Sequence, residues 1–124
     1  MTELRQSLGK KGEDLAAAYL KKRQGYKILF RNYRCVFGEM DIIARDRDVL
    51  SFVEVKTRAT GAFGKPQESV NRRKQQQLSK VALHFINKHN AHNLKARFDV
   101  VAVYLLPEEE RMELIKDAFE LAIT

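Results

Sequence analysis

The sequence predicts a single α/β domain, residues 1–124, in which two helices flank a mixed central sheet. Two stretches repeat their apolar residues at helical spacing, from about Ser7 to Arg23 and from about Asn71 to Lys88. Four stretches have the composition of strands: Tyr26 to Arg34, Gly38 to Arg45, Val49 to Thr57 and Arg97 to Leu106. Because a helix separates the third strand from the fourth, we expect a crossover that sets the fourth strand parallel to an earlier one.

The ends of these elements carry their own signals. Gly25 suits the left-handed position beyond the first helix, and Asn71 is the expected N-cap of the second. Gly9 and Gly12 lie along one side of the first helix, which allows a close approach to a neighbouring segment. Near the C-terminus, Met112 to Ile115 is expected to add an edge strand, followed by a short helix.

The charge distribution favours an anionic partner. The chain has 23 Lys and Arg against 16 Asp and Glu, a net charge of +7. Residues 1–106 hold 21 basic and 10 acidic groups, and residues 107–124 hold 2 and 6. A basic body with an acidic tail indicates nucleic acid before a membrane surface. There is no signal-peptide core and no segment as long as a membrane span, and the single Cys35 fits a reducing compartment, so a cytoplasmic location is expected.

Three charged residues, Asp41, Glu54 and Lys56, interrupt strands that otherwise look buried. If a tight turn on Arg47-Asp48 joins these strands, alternation sets Asp41 opposite Glu54 on one face and Met40 on the other. Two ionised carboxylates about 5 Å apart repel by about 3 kcal/mol at an effective dielectric of about 20, so they need a cation or a shared proton. We therefore predict a divalent metal here. A register slip of one residue would move the two acids to opposite faces.

Other candidate residues lie on either side of this hairpin. Glu13 shares the apolar stripe of the first helix, and it is either an acid favoured by the helix dipole or a third acid for the metal site. The loop after the third strand is rich in Gly and Pro, and it brings Arg58, Phe63 and Lys65 toward the same place. Loops in such positions often contact ligands.

The second helix opens with three cations, Arg72, Arg73 and Lys74. Cations in a first turn oppose the helix dipole by about 0.3–1 kcal/mol each. We predict that they contact an anion such as phosphate, with a solvated basic face as the alternative. Asp99, which stands among alternating valines, is predicted to be a hydrogen-bonded structural acid, with membership of the site as the alternative.

The order of helix, three strands, helix and strand resembles the PD-(D/E)xK nuclease fold of restriction endonucleases and archaeal Holliday junction resolvases. Met40-Asp41 stands where that family has Pro-Asp, and Glu54-Val55-Lys56 matches the second half of the motif. The chain is also similar, over almost its whole length, to the small bacterial YraN-like proteins, an endonuclease-like family. This similarity rests on GxxGE at Gly9 to Glu13, AxxYL, RNYR with FGEMDIIARD, FVEVKTR, the FGxP loop, Lys74 and RFDVVAV.

The resemblance implies a restriction-endonuclease-like αβββαβ core and phosphodiester hydrolysis that depends on Mg²⁺ or Mn²⁺. Asp41 and Glu54 would bind the metal, with the carbonyl of Val55 as a third oxygen ligand. Lys56 would orient or help deprotonate the attacking water and stabilise charge on the phosphate. Glu13 would hold a water on the metal or a second ion.

The resemblance also implies a nucleic-acid partner, with DNA favoured over RNA. Arg58, Lys65, Arg72, Arg73 and Lys74 would contact backbone phosphates, which position a strand without reading its sequence. Related resolvases work as dimers, so a homodimer is one expectation. Two other functions stay open at this point: a nucleic-acid-binding module of the same fold without turnover, and a structural or assembly protein with incidental acids.

Overall fold

The computed structural model describes residues 2–59 and 64–123. Its elements are α1 (Thr2–Lys22), β1 (Lys27–Cys35), β2 (Gly38–Asp46), β3 (Val49–Arg58), a short 3₁₀ helix (Pro66–Ser69), α2 (Arg72–Lys88), β4 (Lys95–Leu106) and β5 (Glu109–Phe119). The strands form one mixed sheet of order β1-β2-β3-β4-β5, in which β3 and β4 run parallel and the other neighbours run antiparallel. This is the αβββαβ core that was predicted, with one further strand.

The two ends of the chain differ from the prediction. α1 begins at Thr2 instead of Ser7. β5 is 11 residues long rather than four, and residues 120–123 form no helix, so the predicted C-terminal helix is wrong. β5 lies at the edge of the sheet and none of its side chains is fully buried, so it lacks the alternation by which a strand is recognised. Its pairing with β4 decides its conformation.

α1 packs on one face of the sheet and α2 on the other. Residues of β2 and β3 alternate between the faces: Ile42 and Val53 contact the α1 side, and Ile43 and Phe52 contact the α2 side. Met40 was predicted on the face of Ile42, but it lies in the cluster on the α2 side. Alternation breaks there because β2 no longer pairs with β3 beyond Ile42 and can twist independently. In the described part of the chain, no helix is long and apolar enough to cross a membrane.

Asp99 is fully buried and is held by four kinds of donor. Its carboxylate accepts hydrogen bonds from Tyr26 Oη (2.8 Å), Ser51 Oγ (2.5 Å), Arg97 Nε (2.7 Å) and the backbone N–H of Asp117 (3.0 Å). Burial by itself would raise the pKa of Asp99, but these donors, Arg97 first, hold it below its usual range. The prediction of a structural acid is confirmed.

α1 approaches β3 closely at Gly12. A Cβ atom at Gly12 would lie 1.9 Å from Thr57 Oγ1, so the present arrangement excludes any side chain. Gly9, about one turn earlier, has no neighbouring atom within 4 Å of the equivalent Cβ position. The predicted close approach is therefore confirmed at Gly12 and not at Gly9. It fixes the distance between the sheet and the next residue of the helix, Glu13.

We expect Gly12→Ala to lower the free energy of unfolding by about 1–3 kcal/mol, the usual cost of an added methyl group in filled space. Gly9→Ala is the matched control and should raise it by about 0.5–1 kcal/mol, because alanine favours the helix and meets no neighbour. Adding Thr57→Ala to Gly12→Ala removes the colliding hydroxyl and should restore part of the loss. Urea denaturation measures these differences, and equal effects of the two glycine substitutions would contradict the packing.

Candidate active site

The β2–β3 hairpin has the register that the sequence predicted. Arg47 takes the left-handed φ of 60° that suits a two-residue turn. From this turn the antiparallel ladder continues without a shift to Ile42 opposite Val53. Asp41 and Glu54 lie just beyond the last pair of this ladder, and their side chains are in hydrogen-bond contact, so the hairpin brings the two acids together.

Asp41 lies at the point where β2 and β3 separate. Its Oδ2 accepts a hydrogen bond from the backbone N–H of Val55 at 2.8 Å, so the carboxylate replaces a backbone partner on β2. The N–H and C=O of a strand residue face the same neighbour, and the carbonyl of Val55 is therefore directed to the side of Asp41. Carboxylate and carbonyl oxygens are the ligands that Mg²⁺ and Mn²⁺ prefer.

Glu54 is a buried carboxyl group next to Asp41. Its side chain is 7% exposed, and its Oε2 lies 3.6 Å from Lys56 Nζ and 3.8 Å from Lys74 Nζ. Burial, followed by the charge of Asp41 and a hydrogen bond with it, raises the pKa of Glu54 to about 8 despite the two lysines. Glu54 therefore keeps its proton near neutral pH unless a further positive charge lies close to it.

Glu13 reaches the region of Asp41 from α1. Burial first, and then the charges of Asp41 and Glu39, raise the pKa of Glu13. With its amide nitrogen turned toward the acids, Asn32 donates to Glu13 Oε1 at 2.9 Å and to Glu39 Oε1 at 3.2 Å. Sequence reasoning missed Asn32. The sequence held one indication of its role, because asparagine is rare within strands and Asn32 lies inside a predicted strand. In the structure Asn32 has a left-handed φ of 53°, a conformation that asparagine tolerates better than most residues.

Two carboxylates, and not three, meet at the centre of the site. Among residues 2–59 and 64–123, no group of three His, Cys, Asp or Glu side chains lies close enough to hold a metal ion. The structure thus brings Asp41 together with Glu54 but does not bring Glu13 together with both. Asp41 and Glu54 supply the two carboxylates at the centre, and strand geometry directs the carbonyl of Val55 to the side of Asp41.

The three cations at the start of α2 are in two environments. Asn71 caps the helix, as predicted, by accepting a hydrogen bond from the backbone N–H of Lys74 at 2.9 Å. Lys74 was expected only to contact phosphate, but its ammonium group faces Glu54 and its side chain is 37% exposed. Arg72 and Arg73 are exposed in the same turn. Lys74 was not recognised as a neighbour of Glu54 because that contact joins α2 to β3 and leaves no pattern in the local sequence.

The structure describes two of the three candidate residues of the segment after β3, Arg58 and Lys65. Arg58 is the last residue of β3, half-buried and paired in register with Tyr104 of β4. Lys65 is exposed and lies in a groove beside Tyr104 and Glu113, so the structure does not bring it together with the carboxylates. Phe63 lies outside the described residues.

Comparison with known proteins identifies the family. The family model described as "Uncharacterised protein family UPF0102" matches residues 12–103. This chain belongs to the UPF0102 family. Its relatives include a UPF0102 protein of Syntrophus aciditrophicus, 56% identical over 114 residues (92% of this chain and 89% of the relative). A UPF0102 protein of Geobacter sulfurreducens is 52% identical over 116 residues (93% and 90%), and one of Caldicellulosiruptor saccharolyticus is 46% identical over 117 residues (93% and 98%).

UPF0102 membership confirms the resemblance to YraN-like proteins that the motifs predicted. The matched range contains the residues of the site, namely Glu13, Asp41, Glu54, Lys56 and Lys74. It ends within β4 and leaves out β5. The part of the UPF0102 chain that the family model matches is therefore the part that builds the site.

The raised pKa of Glu54 makes the stability of the metal-free protein depend on pH. An acid whose pKa is higher in the folded state retains more protons there, so its contribution to stability is full below about pH 4.5 and is lost as the pH rises through about 8. We expect Glu54→Gln, which cannot ionise, to stabilise the protein relative to wild type by about 1.4 kcal/mol or more at about pH 8.5 and much less at about pH 4.5. Urea denaturation in EDTA across this range measures the difference.

The control for this measurement is Glu120→Gln, which changes an exposed acid on the C-terminal segment. Its stability difference from wild type should stay nearly constant over the same pH range. A Glu54→Gln difference that is equally flat would show that Glu54 is ionised in the folded protein at neutral pH.

Proposed function

We propose that this UPF0102 protein is a metal-dependent nuclease that hydrolyses phosphodiester bonds in DNA, with Mg²⁺ or Mn²⁺ as its cofactor. The observation that carries the proposal is the pair formed by Asp41 and the buried Glu54, with Lys56 beside it. Two carboxylates in partial burial destabilise a fold unless a cation or proton compensates them. Asp99 shows how this chain compensates a purely structural acid, and among the described residues the pair has no comparable set of donors.

The donor set fits a hard divalent cation. Asp41 and Glu54 would hold the ion, and the carbonyl of Val55 offers a third oxygen. Bound there, the ion would lower the pKa of a water molecule and neutralise charge on the scissile phosphate. Glu54 would then ionise at neutral pH, because the nearby positive charge offsets the burial and the repulsion by Asp41 that raise its pKa.

The side chains around the pair have separate roles in this proposal. Lys56 Nζ, 3.6 Å from Glu54 Oε2, is within reach of a water or phosphate oxygen at the carboxylates, so it orients the nucleophile and stabilises developing charge. Lys74, 3.8 Å from the same oxygen, adds a second positive charge. Glu13, held by Asn32 and with a raised pKa, orients water on the α1 side and can accept its proton.

The charge of the protein supports a nucleic-acid substrate. The chain carries a net charge of +7, and Arg72 and Arg73 are exposed in the first turn of α2, where the helix dipole also favours an anion. Contacts of this kind hold the phosphate backbone without reading bases. DNA is the proposed substrate because of the resemblance to PD-(D/E)xK nucleases. The free Cys35 agrees with a cytoplasmic enzyme.

We expect the purified protein to cleave labelled DNA in Mg²⁺ or Mn²⁺, on a panel that includes single strands, flaps and four-way junctions. Asp41→Ala and Glu54→Ala should abolish cleavage because each removes a metal ligand, and Lys56→Ala should slow it by about 100-fold or more. Lys22→Ala, at the exposed end of α1, is the matched lysine control and should cleave like wild type. Mn²⁺ should also raise the melting temperature of wild type and not of Asp41→Ala.

Binding measurements on the same panel distinguish this proposal from its alternatives. If the protein is a nuclease, the Asp41→Ala variant should bind DNA in EDTA as tightly as wild type and should not cleave it in Mg²⁺. Binding by wild type without cleavage of any substrate would instead identify a nucleic-acid-binding module. The absence of salt-sensitive binding would contradict both and favour a structural or assembly role.

The proposed binding of phosphates by α2 predicts a salt dependence that can be measured separately. We expect the double variant Arg72→Ala with Arg73→Ala to bind duplex DNA more weakly. The slope of log K against log salt should shrink by about 0.9 for each phosphate that the variant no longer neutralises, or by about 1.8 in total. The control is Lys21→Ala with Lys22→Ala, which removes the same charge from the end of α1. Fluorescence anisotropy at several salt concentrations gives both slopes, and equal slopes for the two double variants would show that net charge, and not the start of α2, binds the backbone.

A further inference from the structure

The turn between β1 and β2 exposes two large apolar side chains. Val36 is 88% exposed and Phe37 is 45% exposed. They form a two-residue turn between the paired residues Cys35 and Gly38, a position where Asn, Asp and Gly are the usual residues. Single exposed apolar residues need no explanation, but an adjacent pair at the tip of a hairpin is a surface suited to contact a ligand.

The turn between β1 and β2 packs against α2. Gly38 has a φ of 143°, and a Cβ atom there would lie 2.6 Å from Gln77 Nε2 of α2, so hairpin and helix are in close contact. The ring of Phe37 lies 6.3 Å from the ring of His84 at an interplanar angle of 70°. His84 Nδ1 is in turn 3.1 Å from Tyr33 Oη on β1. The aromatic side chain is therefore packed against the helix on one side and exposed on another.

The surroundings of the turn are basic and lead to the carboxylates. Val36 and Phe37 line a groove of about 720 Å³ together with Arg73, Lys74 and Lys80. Among the described residues that line this groove, none is acidic. Lys74 also lies 3.8 Å from Glu54, so the groove runs from the hairpin tip to the edge of the candidate active site.

We propose that Phe37, with Val36 beside it, stacks on an unpaired base of a nucleic-acid strand whose phosphates lie along Arg73, Lys74 and Lys80. The proposal rests on the proposed function, since it takes the same strand to reach Asp41 and Glu54. Aromatic side chains in a basic groove are the common means of binding single strands, because every base has a face that can stack. In intact duplex those faces are covered by neighbouring base pairs. The protein therefore selects substrates with unpaired bases, such as single strands and flaps, over intact duplex.

The test compares the affinities for single-stranded and duplex DNA of the same sequence by fluorescence anisotropy in EDTA. We expect wild type to prefer the single strand, and Phe37→Ala to raise its Kd for the single strand by roughly 5- to 100-fold, the range seen when a base-stacking aromatic is truncated. The Kd for duplex should change little. Phe37→Tyr keeps a ring and should retain most of the preference. Leu121→Ala is the matched control, because Leu121 is also 45% exposed and does not line this groove.

A second readout reports stacking directly. In single strands that carry one 2-aminopurine, wild type and Phe37→Tyr should change the fluorescence of the probe at one position along the strand, and Phe37→Ala should not. The proposal is overturned if wild type has no preference for unpaired bases, or if Phe37→Ala changes both affinities equally or not at all.

Because these measurements are made in EDTA, they separate this inference from the proposed catalysis. Selective loss of single-strand binding in Phe37→Ala, with no cleavage by wild type in Mg²⁺, would leave base stacking standing and remove the nuclease. If wild type instead cleaves DNA and the cleavage depends on Asp41, while Phe37→Ala binds the single strand like wild type, the nuclease proposal stands and base stacking is removed.

Discussion

The site depends on the register of one hairpin. The two-residue turn between β2 and β3 sets the ladder that ends at Ile42 opposite Val53, and Asp41 and Glu54 follow directly on that pair. The core enforces this register, since Ile42 and Val53 are buried on one face and Ile43 and Phe52 on the other. A slip would reverse all four. Hydrophobic burial thus holds together two acids that repel each other by about 3 kcal/mol in the absence of a cation or proton.

Two buried acids of the same sheet, Asp99 and Glu54, have pKa values shifted in opposite directions. Asp99 receives hydrogen bonds from side chains and backbone, and its pKa lies below the usual range. Glu54 has two lysine ammonium groups at 3.6 and 3.8 Å and, among the described residues, no comparable set of short donors, and its pKa is about 8. The environment of Asp99 shows that this fold can supply a buried carboxylate with enough hydrogen-bond donors to keep it ionised. The raised pKa of Glu54, against the lowered pKa of Asp99, distinguishes the two acids and agrees with the divalent cation proposed above.

The central hairpin could be predicted from sequence because its signals are local. Alternation and a two-residue turn determine the ladder as far as Ile42 opposite Val53, which brings the neighbouring Asp41 and Glu54 close together. Beyond Ile42, where β2 leaves β3, alternation no longer holds, and Met40 lies on the face opposite to the predicted one. Asn32 and Lys74 could not be predicted in the same way. Asn32 depends on a left-handed residue within β1, and Lys74 meets Glu54 only after α2 packs on the sheet. β5 was underestimated because an edge strand with no fully buried side chain carries little alternation, and its partner β4 supplies the pattern that the strand itself lacks.

Several features that do not favour stability lie around α2. The helix begins with Arg72 and Arg73, which oppose its dipole by about 0.3–1 kcal/mol each. Glu54 faces Lys74 from a buried position with a strongly raised pKa, and the turn of Val36 and Phe37 exposes apolar surface next to the same helix. Separately, each feature has a structural explanation. The proposed function would explain them together, because a nucleic-acid strand would supply anionic phosphates to the cations, a divalent ion to the carboxylates and a base face to the aromatic ring.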